Sequence, residues 1–506
     1  MCFHFLQNVI SLAAEGDARV RFLLKDLYAE GIDPSISGDI WSDRHVSLFG
    51  ILVHFIDKDF KLHEFLCGAI PFSGEAHTGA NMSVATNISL MNMGIGREAT
   101  DTIPGINPKD AIHAKVSDNG SNMKVAWNEF HGGYCACHTA KLCVDVFVNH
   151  PAVAGTFIKA QKTAQHFNKS VKAADKLKSL QTRLKIPTSK PPQGNNQRWT
   201  ASYERGMWFL KNQSPMQHYE VEHPKTCVSN DDGSVFKDFK FSMDDWTINE
   251  QTTAVLRPLS EFSVQLEGST YVTQSLIIPL VNFVLAELKE DAPLQLLGGI
   301  VLPPEDIHKD VRSARSALCN AFRKRFVTEL PDAVEEDLMV TTCLDPRFKN
   351  YEFQGTTLAQ KEKARGYLHA AWLSDWKPPS TTIEVDVRTE TPEDDPTSIR
   401  PARSLSTCLS GSRTLPRASM EMDELRTYLH LPEETDMEAD VFTWWRRRAS
   451  DFPNLSRMAR QFLAVPASSA GVERLFSMAG RIFSDLRKST KEETLEYILR
   501  ASVNTL

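Results

Sequence analysis

Two β-rich runs near the start of the sequence, residues 49–56 and 60–67, restrict its possible folds more than any other feature. A short polar turn separates them, and this combination predicts an antiparallel hairpin. A helical spacing of apolar residues follows over 81–98, and another β-rich run follows over 111–117. A short strand just before Trp41 would complete the order strand–strand–strand–helix–strand, so the sequence predicts a small α/β unit in this part of the chain.

Helical patterns dominate the rest of the 506-residue sequence, from about 150 to 376 and again from 421 to 506. Residues 377–420 are rich in Pro, Ser, Thr and charged residues and poor in apolar ones, which is typical of a disordered linker. A chain of this length exceeds the size at which one hydrophobic core stops growing. We therefore expect an α/β plus all-α protein, divided into an α/β unit (1–150), a helical domain (151–376), the linker (377–420) and a C-terminal helical region (421–506).

The charge balance argues against a protein that coats nucleic acid indiscriminately, because 57 Lys and Arg face 64 Asp and Glu, a formal net charge of −7. Residues 159–198 are a local exception, with ten basic residues and one acidic residue. No run of 18 apolar residues occurs, so a membrane-spanning helix is not expected. A signal peptide is not expected either, because no basic region precedes the short apolar stretch at the N-terminus. The nine scattered cysteines fit a reducing compartment better than a disulfide framework.

Two aspartates occupy suggestive positions in the predicted α/β unit. Asp39 lies on the first strand, and Asp118 follows the fourth. If these strands are neighbours in one sheet, the two carboxylates project to a common point. Their hard oxygen ligands then suit Mg²⁺, which can support phosphodiester cleavage. The alternative is that each aspartate is a turn or helix cap, since Asp118 begins the turn-forming sequence Asp-Asn-Gly-Ser-Asn.

A series of short motifs occurs in order between residue 39 and about residue 504. The motifs are Asp39-Ile-Trp-Ser, Val53-His-Phe-Ile-Asp57, Ser117-Asp-Asn-Gly-Ser-Asn-Met123, Cys135-Ala-Cys-His-Thr139, Arg198-Trp199, Leu344-Asp-Pro-Arg-Phe-Lys349 and a closing segment over 452–480 that includes Glu473-Arg-Leu-Phe-Ser477. The series resembles hAT-superfamily DNA transposases and their BED zinc-finger relatives. Its closing segment is similar to the hAT C-terminal dimerisation region.

The resemblance implies an RNase H-like catalytic core, interrupted by a large helical insertion and completed by the C-terminal region. It assigns three metal-binding catalytic acids to Asp39, Asp118 and Glu473, with Mg²⁺ or Mn²⁺ as the cofactor. It also implies DNA as a partner, a dimer or higher homo-oligomer through 421–506, and a nuclear location. For Glu473 an alternative stays open, because a helix starting after Pro466, with Ser468 or Ser469 as its cap, would also favour an acid in its first turn.

Two further motifs invite binding roles. Cys135, Cys137 and His138 suggest zinc, but a structural zinc site needs a second ligand pair that the sequence does not supply, and no zinc-finger pattern is found. The resemblance instead implies a structural element beside the active site, in which His138 helps to position DNA. Arg198 and Trp199 follow the basic segment, so Arg198 is expected to contact a phosphate and Trp199 to stack on an unpaired base. A buried core position is the alternative for Trp199.

Three functions therefore remain in competition. The first is a DNA transposase, intact or truncated, that cleaves and transfers strands through its three acids. The second is a domesticated, non-catalytic regulator that dimerises and associates with DNA, favoured by the missing zinc finger. The third is an unrelated helical scaffold. We also expect self-association through residues 444–504, whose apolar residues exceed what one helix pair would bury, and weak, salt-sensitive DNA binding without sequence preference.

Overall fold

A mixed five-stranded sheet organises the first part of the chain in a computed structural model that describes residues 3–43, 46–72, 78–96, 105–193, 200–223, 228–229, 235–236, 240–378, 423–485 and 492–505. Its strands are β1 (Ser35–Asp43), β2 (Val46–Ile56), β3 (Leu62–Pro71), β4 (Lys115–Ser117) and β5 (Gly132–Tyr134). Their spatial order is β3-β2-β1-β4-β5. Strands β1, β2 and β3 are antiparallel neighbours, whereas β4 runs parallel to β1 and β5 runs parallel to β4.

The predicted hairpin is confirmed as β2 and β3, and the predicted fourth strand as β4. The first strand is longer than expected, because the turn-like residues Ser35–Gly38 pair with β2 on one side, and residues 36–38 also pair with β4 on the other. Strand β5 was not anticipated, since its sequence, Gly-Gly-Tyr, has no apolar run. Strands β1 and β4 are neighbours, as the aspartate hypothesis requires.

Helices account for most of the remaining described residues. They are α1 (Phe3–Ala29), α2 (Gly79–Asn92), α3 (Ser121–Ala126), α4 (Ala136–Val148), α5 (Pro151–Lys169), α6 (Val171–Arg183), α7 (Thr200–Lys211), α8 (Gln213–Glu222), α9 (Met243–Leu266), α10 (Ile277–Glu287), α11 (Lys309–Arg323), α12 (Asp332–Leu344), α13 (Leu358–Ala371), α14 (Glu424–His430), α15 (Val441–Arg448), α16 (Pro453–Leu463), α17 (Ala470–Asp485) and α18 (Glu492–Asn504). Short 3-10 or π segments cover Pro108–Ala111, Gln274–Leu276, Pro304–Asp306, Lys324–Thr328 and Trp372–Trp376, and two-residue strand pairs join Val228–Ser229 to Val235–Phe236 and Leu294–Gln295 to Val301–Leu302. The mainly helical character expected after residue 150 is confirmed.

The C-terminal helices pack on the N-terminal sheet from both sides. On one face, the largest apolar core combines α1 and the strands with α12, α13 and helices α14 to α16. On the other face, α17 and α18 cover β2 and β3 through a separate cluster that includes Leu52, Leu66, Val472, Phe476 and Leu499. A further core unites α4 with α9 to α12. The two ends of the sequence therefore form one packed structure.

This packing changes the interpretation of the apolar residues expected to form a self-association surface. Trp444 is half-buried, and the other residues of that set are buried within the chain: Trp445, Phe452, Leu455, Phe462, Leu463, Val472, Leu475 and Phe476. These side chains serve intramolecular cores and are not available to a second copy. The apolar count of this region thus gives no support for self-association.

The Leu344–Lys349 motif is a structural joint between α12 and α14. The buried Lys349 Nζ donates to the carbonyl oxygen of Tyr428 (2.9 Å), and Asp345 accepts from the Ser275 hydroxyl (2.7 Å) and pairs with Arg347 (2.7 Å). Charged groups with this degree of burial need such partners, because desolvation alone would be costly. The motif therefore anchors the C-terminal helices to the rest of the chain.

Helix α18 closes the outer edge of β3. Asn504 accepts the N–H of Leu66 (2.8 Å) and donates to the Leu66 carbonyl oxygen (3.0 Å) and to Asp17 on α1 (2.8 Å). Beside it, Arg500 donates to the carbonyl oxygen of Cys67 (2.7 Å), the residue that the register shift between β2 and β3 leaves unpaired. Side chains of α18 thus satisfy backbone groups that an uncovered edge strand would expose.

The predicted linker over 377–420 lies almost entirely outside the described residues, and so does the Arg198-Trp199 motif. Within the described part of the chain, none of the helices combines the length and apolar character that crossing a membrane requires.

Candidate active site

Asp39 lies in the middle of β1, between β2 and β4, and is 8% exposed. One carboxylate oxygen accepts the N–H of Ile40 (2.8 Å). Burial raises the pKa of Asp39 to about 7, and the neighbouring carboxylates of Asp118 and Glu473 add to this increase, while His138 opposes it. A carboxylate in such a position is poised to gain a cation, because desolvation and like charges disfavour its ionised form.

Asp118 follows β4 directly and lines the same cleft as Asp39. Burial raises the pKa of its carboxyl, partly offset by the Gly120 backbone and by the charges of His138 and Lys124. Its Oδ1 is buried and has no hydrogen-bond partner within the described part of the chain. A buried oxygen without a partner is an available ligand, because the free-energy cost of leaving it unsatisfied would be relieved by a bound cation.

Glu473 reaches the same point from the other end of the sequence, in the first turn of α17. That helix begins directly after Ser469, whose carbonyl oxygen accepts the N–H of Glu473 (3.2 Å), so the predicted helix start after Pro466 is confirmed. The glutamate side chain is 36% exposed. Glu473 therefore lies in the first turn of its helix, as the helix-dipole alternative predicts, and it also lies beside Asp39.

Gly50 permits this close approach. It pairs with Asp39 across β1 and β2, and a Cβ atom there would lie 2.6 Å from Val472 Cγ1, next to Glu473 in α17. Since that distance is far below van der Waals contact, any larger residue would push the helix away from the sheet. The absence of a side chain at position 50 therefore allows α17, which carries Glu473, to pack closely against β2.

His138 completes the cluster from the first turn of α4. One ligand atom from each of Asp39, His138 and Glu473 falls within a group whose members are all within 4.8 Å of one another. His138 Nε2 is 3.9 Å from the Glu473 carboxylate, and its Nδ1 is 3.4 Å from the Ser469 hydroxyl. Burial opposes protonation, yet the Cys135 sulfur and the two acids raise the pKa of His138 to about 10.

Cys135 has a local structural role. Its sulfur accepts the backbone N–H groups of His138 (3.5 Å) and Ser469 (3.3 Å), which ties the start of α4 to the segment before α17. Among the described residues, the group of clustered ligand atoms includes neither Cys135 nor Cys137. The structure therefore brings His138, and not a cysteine pair, to the acids.

The acids open into a cleft of about 1270 Å³ whose other walls carry several basic side chains and also Glu329, which pairs with Lys324 (3.3 Å), and Asp337. Basic side chains lining it are Lys115, Lys124, Lys141, Lys324 and Arg325. Tyr134 also lines the cleft and is partly exposed. The sequence alone does not point to these residues, because isolated lysines carry no signal; Tyr134, an aromatic residue directly before the Cys-x-Cys-His motif, is the one hint in it. An acidic centre with basic walls can hold a divalent cation and a polyanion together.

The donor set fits a divalent cation. Asp39 and Glu473 supply carboxylate oxygens within 4.8 Å of each other, and Asp118 supplies the unpartnered oxygen nearby. Carboxylate oxygens are the ligands that Mg²⁺ prefers in proteins. The ligand atoms that lie within 4.8 Å of one another belong to Asp39, His138 and Glu473, and Asp118 lines the same cleft outside that group.

The basic segment over 159–198 includes the second half of α5 and all of α6. It ends at Arg198, which, like Trp199, lies outside the described residues. Not all of its charges are available to DNA. Lys159 pairs with Asp245 (2.6 Å), whereas Lys172 and Lys178 are exposed on α6.

Comparison with known proteins supports a family assignment. The family model of the hAT C-terminal dimerisation region matches residues 424–502. Zinc finger BED domain-containing protein 6 of Mus musculus is 25% identical over 72% of this chain and 36% of its own length. A putative AC transposase of Zea mays is 21% identical over 97% of this chain and 58% of its own. The putative transcriptional regulator tpeD of Talaromyces stipitatus is 22% identical over 95% of this chain and 54% of its own.

Fold and site together define a mixed α/β protein, mostly helical, with acids from both ends of its sequence gathered in one cleft. The matched region and these relatives support a hAT-family transposase-like protein. The chain spans less than two thirds of the length of each of these relatives.

Proposed function

We propose that the chain is a DNA strand-cleaving and strand-transferring enzyme of the transposase type, dependent on Mg²⁺ or Mn²⁺ bound by Asp39, Asp118 and Glu473. The observation that carries this proposal is the meeting of Asp39 and Glu473. Two acids from opposite ends of the sequence have ligand atoms within 4.8 Å, in a cleft with basic walls. A structural salt bridge or a helix cap would not require the unpartnered buried oxygen of Asp118 beside them.

The sheet supports an RNase H-like core. Three antiparallel strands followed by parallel β4 and β5, with one acid on β1 and one after β4, are the arrangement that this assignment requires. In the proposed division, residues 1–150 form the first part of the core and 151–376 form a helical insertion. The segment 377–420 is the linker, and residues 421–506 complete the core by adding α17 with Glu473.

Each residue of the site has a distinct task in this scheme. The bound cation would activate a water or hydroxyl nucleophile and stabilise the leaving oxygen. Asp39 and Asp118 hold their carboxylates on neighbouring strands, whose pairing fixes them relative to each other. Glu473 approaches from α17, which packs closely on β2 because residue 50 is a glycine. His138 lies beside Glu473 and contacts Ser469, which keeps the start of α17 against α4.

A nicking assay tests this function. Supercoiled plasmid is incubated with the full chain in Mg²⁺ or Mn²⁺, and Asp39→Asn and Glu473→Gln should each lower nicking by at least about a hundredfold, because losing a metal ligand removes the activated nucleophile. Asp59→Asn, an exposed acid in the β2–β3 turn, is the matched control and should nick like the parent. Mn²⁺ titration by calorimetry gives a second reading without catalysis. Normal Mn²⁺ binding by the Asp39 and Glu473 variants would refute the metal site.

The second candidate is a domesticated, non-catalytic regulator that dimerises and associates with DNA. The names of the relatives favour it, since one is a putative transcriptional regulator. This function predicts DNA binding without nicking in either cation, and an Asp39→Asn variant that binds DNA as well as the parent.

We further propose DNA as the partner, a homo-oligomer formed through the C-terminal region, and a nuclear location. The hAT dimerisation match over 424–502 supports self-association, although the apolar residues of that region are used within the chain. The basic walls of the cleft, together with Arg198, Trp199 and His138, are the proposed DNA contacts.

A further inference from the structure

Strands β4 and β5 bring a lysine and a tyrosine to the same face of the sheet. Lys115 pairs with Gly132, and Ser117 pairs with Tyr134 two residues further along. Alternate residues of a strand share a face, so Lys115 and Tyr134 are diagonal neighbours. Gly132 has a φ of +124°, and a Cβ atom there would lie 2.4 Å from the backbone oxygen and 2.5 Å from the backbone nitrogen of Lys115. The glycine thus allows the backbones of β4 and β5 to pair closely at this point.

Two ammonium groups converge on that ring. Lys115 Nζ lies 5.5 Å from the centroid of Tyr134, and Lys124 Nζ, from α3, lies 5.2 Å from it. Attraction to the aromatic ring offsets part of their mutual repulsion. Among the residues that the structure describes, neither ammonium has a carboxylate within ion-pair distance.

Lys115 is the more unusual of the two. The residue is 5% exposed, and burial lowers the pKa of its ammonium group. Burying a cation without a counter-charge costs free energy, so natural proteins seldom do this without a bound anion or a nearby acid. The arrangement therefore indicates a position where an anion from solution enters.

The two lysines lie beside the acidic centre. Lys115, Lys124 and Tyr134 line the same cleft as Asp39 and Asp118, and the charge of Lys124 lowers the pKa of the Asp118 carboxyl. An anion bound by them lies beside the acidic centre and not at a remote surface.

We propose that Lys115, Lys124 and Tyr134 form a subsite that binds a backbone phosphate of a DNA strand entering the acidic site. This inference rests on the proposed function for the identity of the polymer. The subsite positions the strand and does not read its sequence, because contacts to phosphates carry no base information. The Tyr134 ring holds the two lysines in place, and its exposed edge lies next to the bound strand.

Binding of a fluorescein-labelled single-stranded oligonucleotide of mixed sequence to the full chain tests the subsite. Fluorescence anisotropy is measured in EDTA, over a range of salt concentrations, so that cleavage plays no part. Lys115→Met and Lys124→Met should each weaken binding about three- to tenfold and reduce the slope of log affinity against log salt by about 0.7, the value for one phosphate contact on a single strand. Tyr134→Leu should also weaken binding, whereas Tyr134→Phe, which keeps the ring, should not.

Lys109→Met is the matched control. Lys109 is exposed, pairs with Glu129 (3.5 Å) and is not among the residues lining the cleft, so its loss should leave both affinity and slope unchanged. If the Lys115 variant does not fold, the Lys124 variant decides, because that side chain is exposed on α3. Lysine variants that bind like Lys109→Met, or a parent chain that does not bind the oligonucleotide, would overturn the proposal. Because the assay excludes metal, a chain that binds through these lysines but does not nick plasmid would disprove the proposed catalysis and leave the subsite intact.

Discussion

Replacing Asn504 by alanine should release helix α18 from the edge of β3. The side chain makes three hydrogen bonds, two of them to the N–H and carbonyl of Leu66, and both residues are fully buried. Asp17, the third partner, keeps its ion pair with Arg500 (3.0 Å) and loses little. The two backbone groups of Leu66 therefore dominate the cost of the substitution.

A buried backbone group left without a partner costs about 1–3 kcal/mol, so the pair costs at most about 6 kcal/mol. Because α18 is the last helix of the chain and can move to admit water, we expect the lower part of this range, about 2–3 kcal/mol. Opening of the β3 edge then becomes roughly 30- to 150-fold more frequent.

Hydrogen exchange followed by mass spectrometry measures this opening directly. Peptides covering 62–71 and 492–504 should exchange faster in Asn504→Ala by that factor, while peptides from α9 keep the rate of the parent. Asn149→Ala is the control, since the Asn149 side chain donates to Asp145 within its own exposed helix end. An Asn504 variant with β3 exchange within about threefold of the parent would show that the side chain does not hold the edge, and would refute the reasoning.

Four other predictions follow from the structure and the sequence. Gly50→Ala should displace α17 through Val472, lower stability by about 1–3 kcal/mol and reduce nicking more than binding; unchanged melting and nicking would contradict the role of this glycine. Trp199→Ala should weaken binding to hairpin-end DNA by about 1–3 kcal/mol with little change in melting temperature, and a large stability loss without a binding defect would place Trp199 in a core instead. The hydrogen bond to Asp337 raises the pKa of His131. The pair therefore contributes its full stability below the unfolded pKa of about 6.5, and this contribution falls as the pH rises through the folded pKa. Thermal melts between about pH 6 and pH 9 should show that decline in stability in the parent and not in Asp337→Asn. Sedimentation at micromolar concentration should show a dimer or larger species, and a strictly monomeric chain would count against the proposed assembly.

The sequence predicted the parts of the fold that depend on local pattern. Strands β2 and β3 follow from two β-rich runs and a turn, whereas the pairing of β1 with β4 was only a condition of the aspartate hypothesis, which the structure meets. Helix α1 also has a local pattern, because its buried apolar residues recur at helical spacing: Val9, Ala13, Val20, Leu24 and Leu27.

Tertiary contacts set the limit of such predictions. Periodicity cannot bring Glu473 to Asp39, which depends on the missing side chain of Gly50, so only the family resemblance pointed to that acid. Apolar content likewise predicts that Trp445 and Phe476 are buried, but it does not predict whether they pack within the chain or against a second copy. The structure shows that both pack within the chain. Lys115 was missed because its significance comes from the ring of Tyr134 on a three-residue strand that has no pattern of its own.

The distance along the chain between Asp39 and Glu473 has a consequence for synthesis. The ribosome makes the first acid early, but the second leaves the exit tunnel only when most of the polypeptide has been translated, and β2 receives α17 later still. A growing chain can therefore expose its basic cleft to nucleic acid long before it holds both carboxylates. Under the proposed function, the metal site would be completed as one of the last events of biogenesis, and a translation product that stops before residue 470 would lack both Glu473 and the helices that cover β2 and β3.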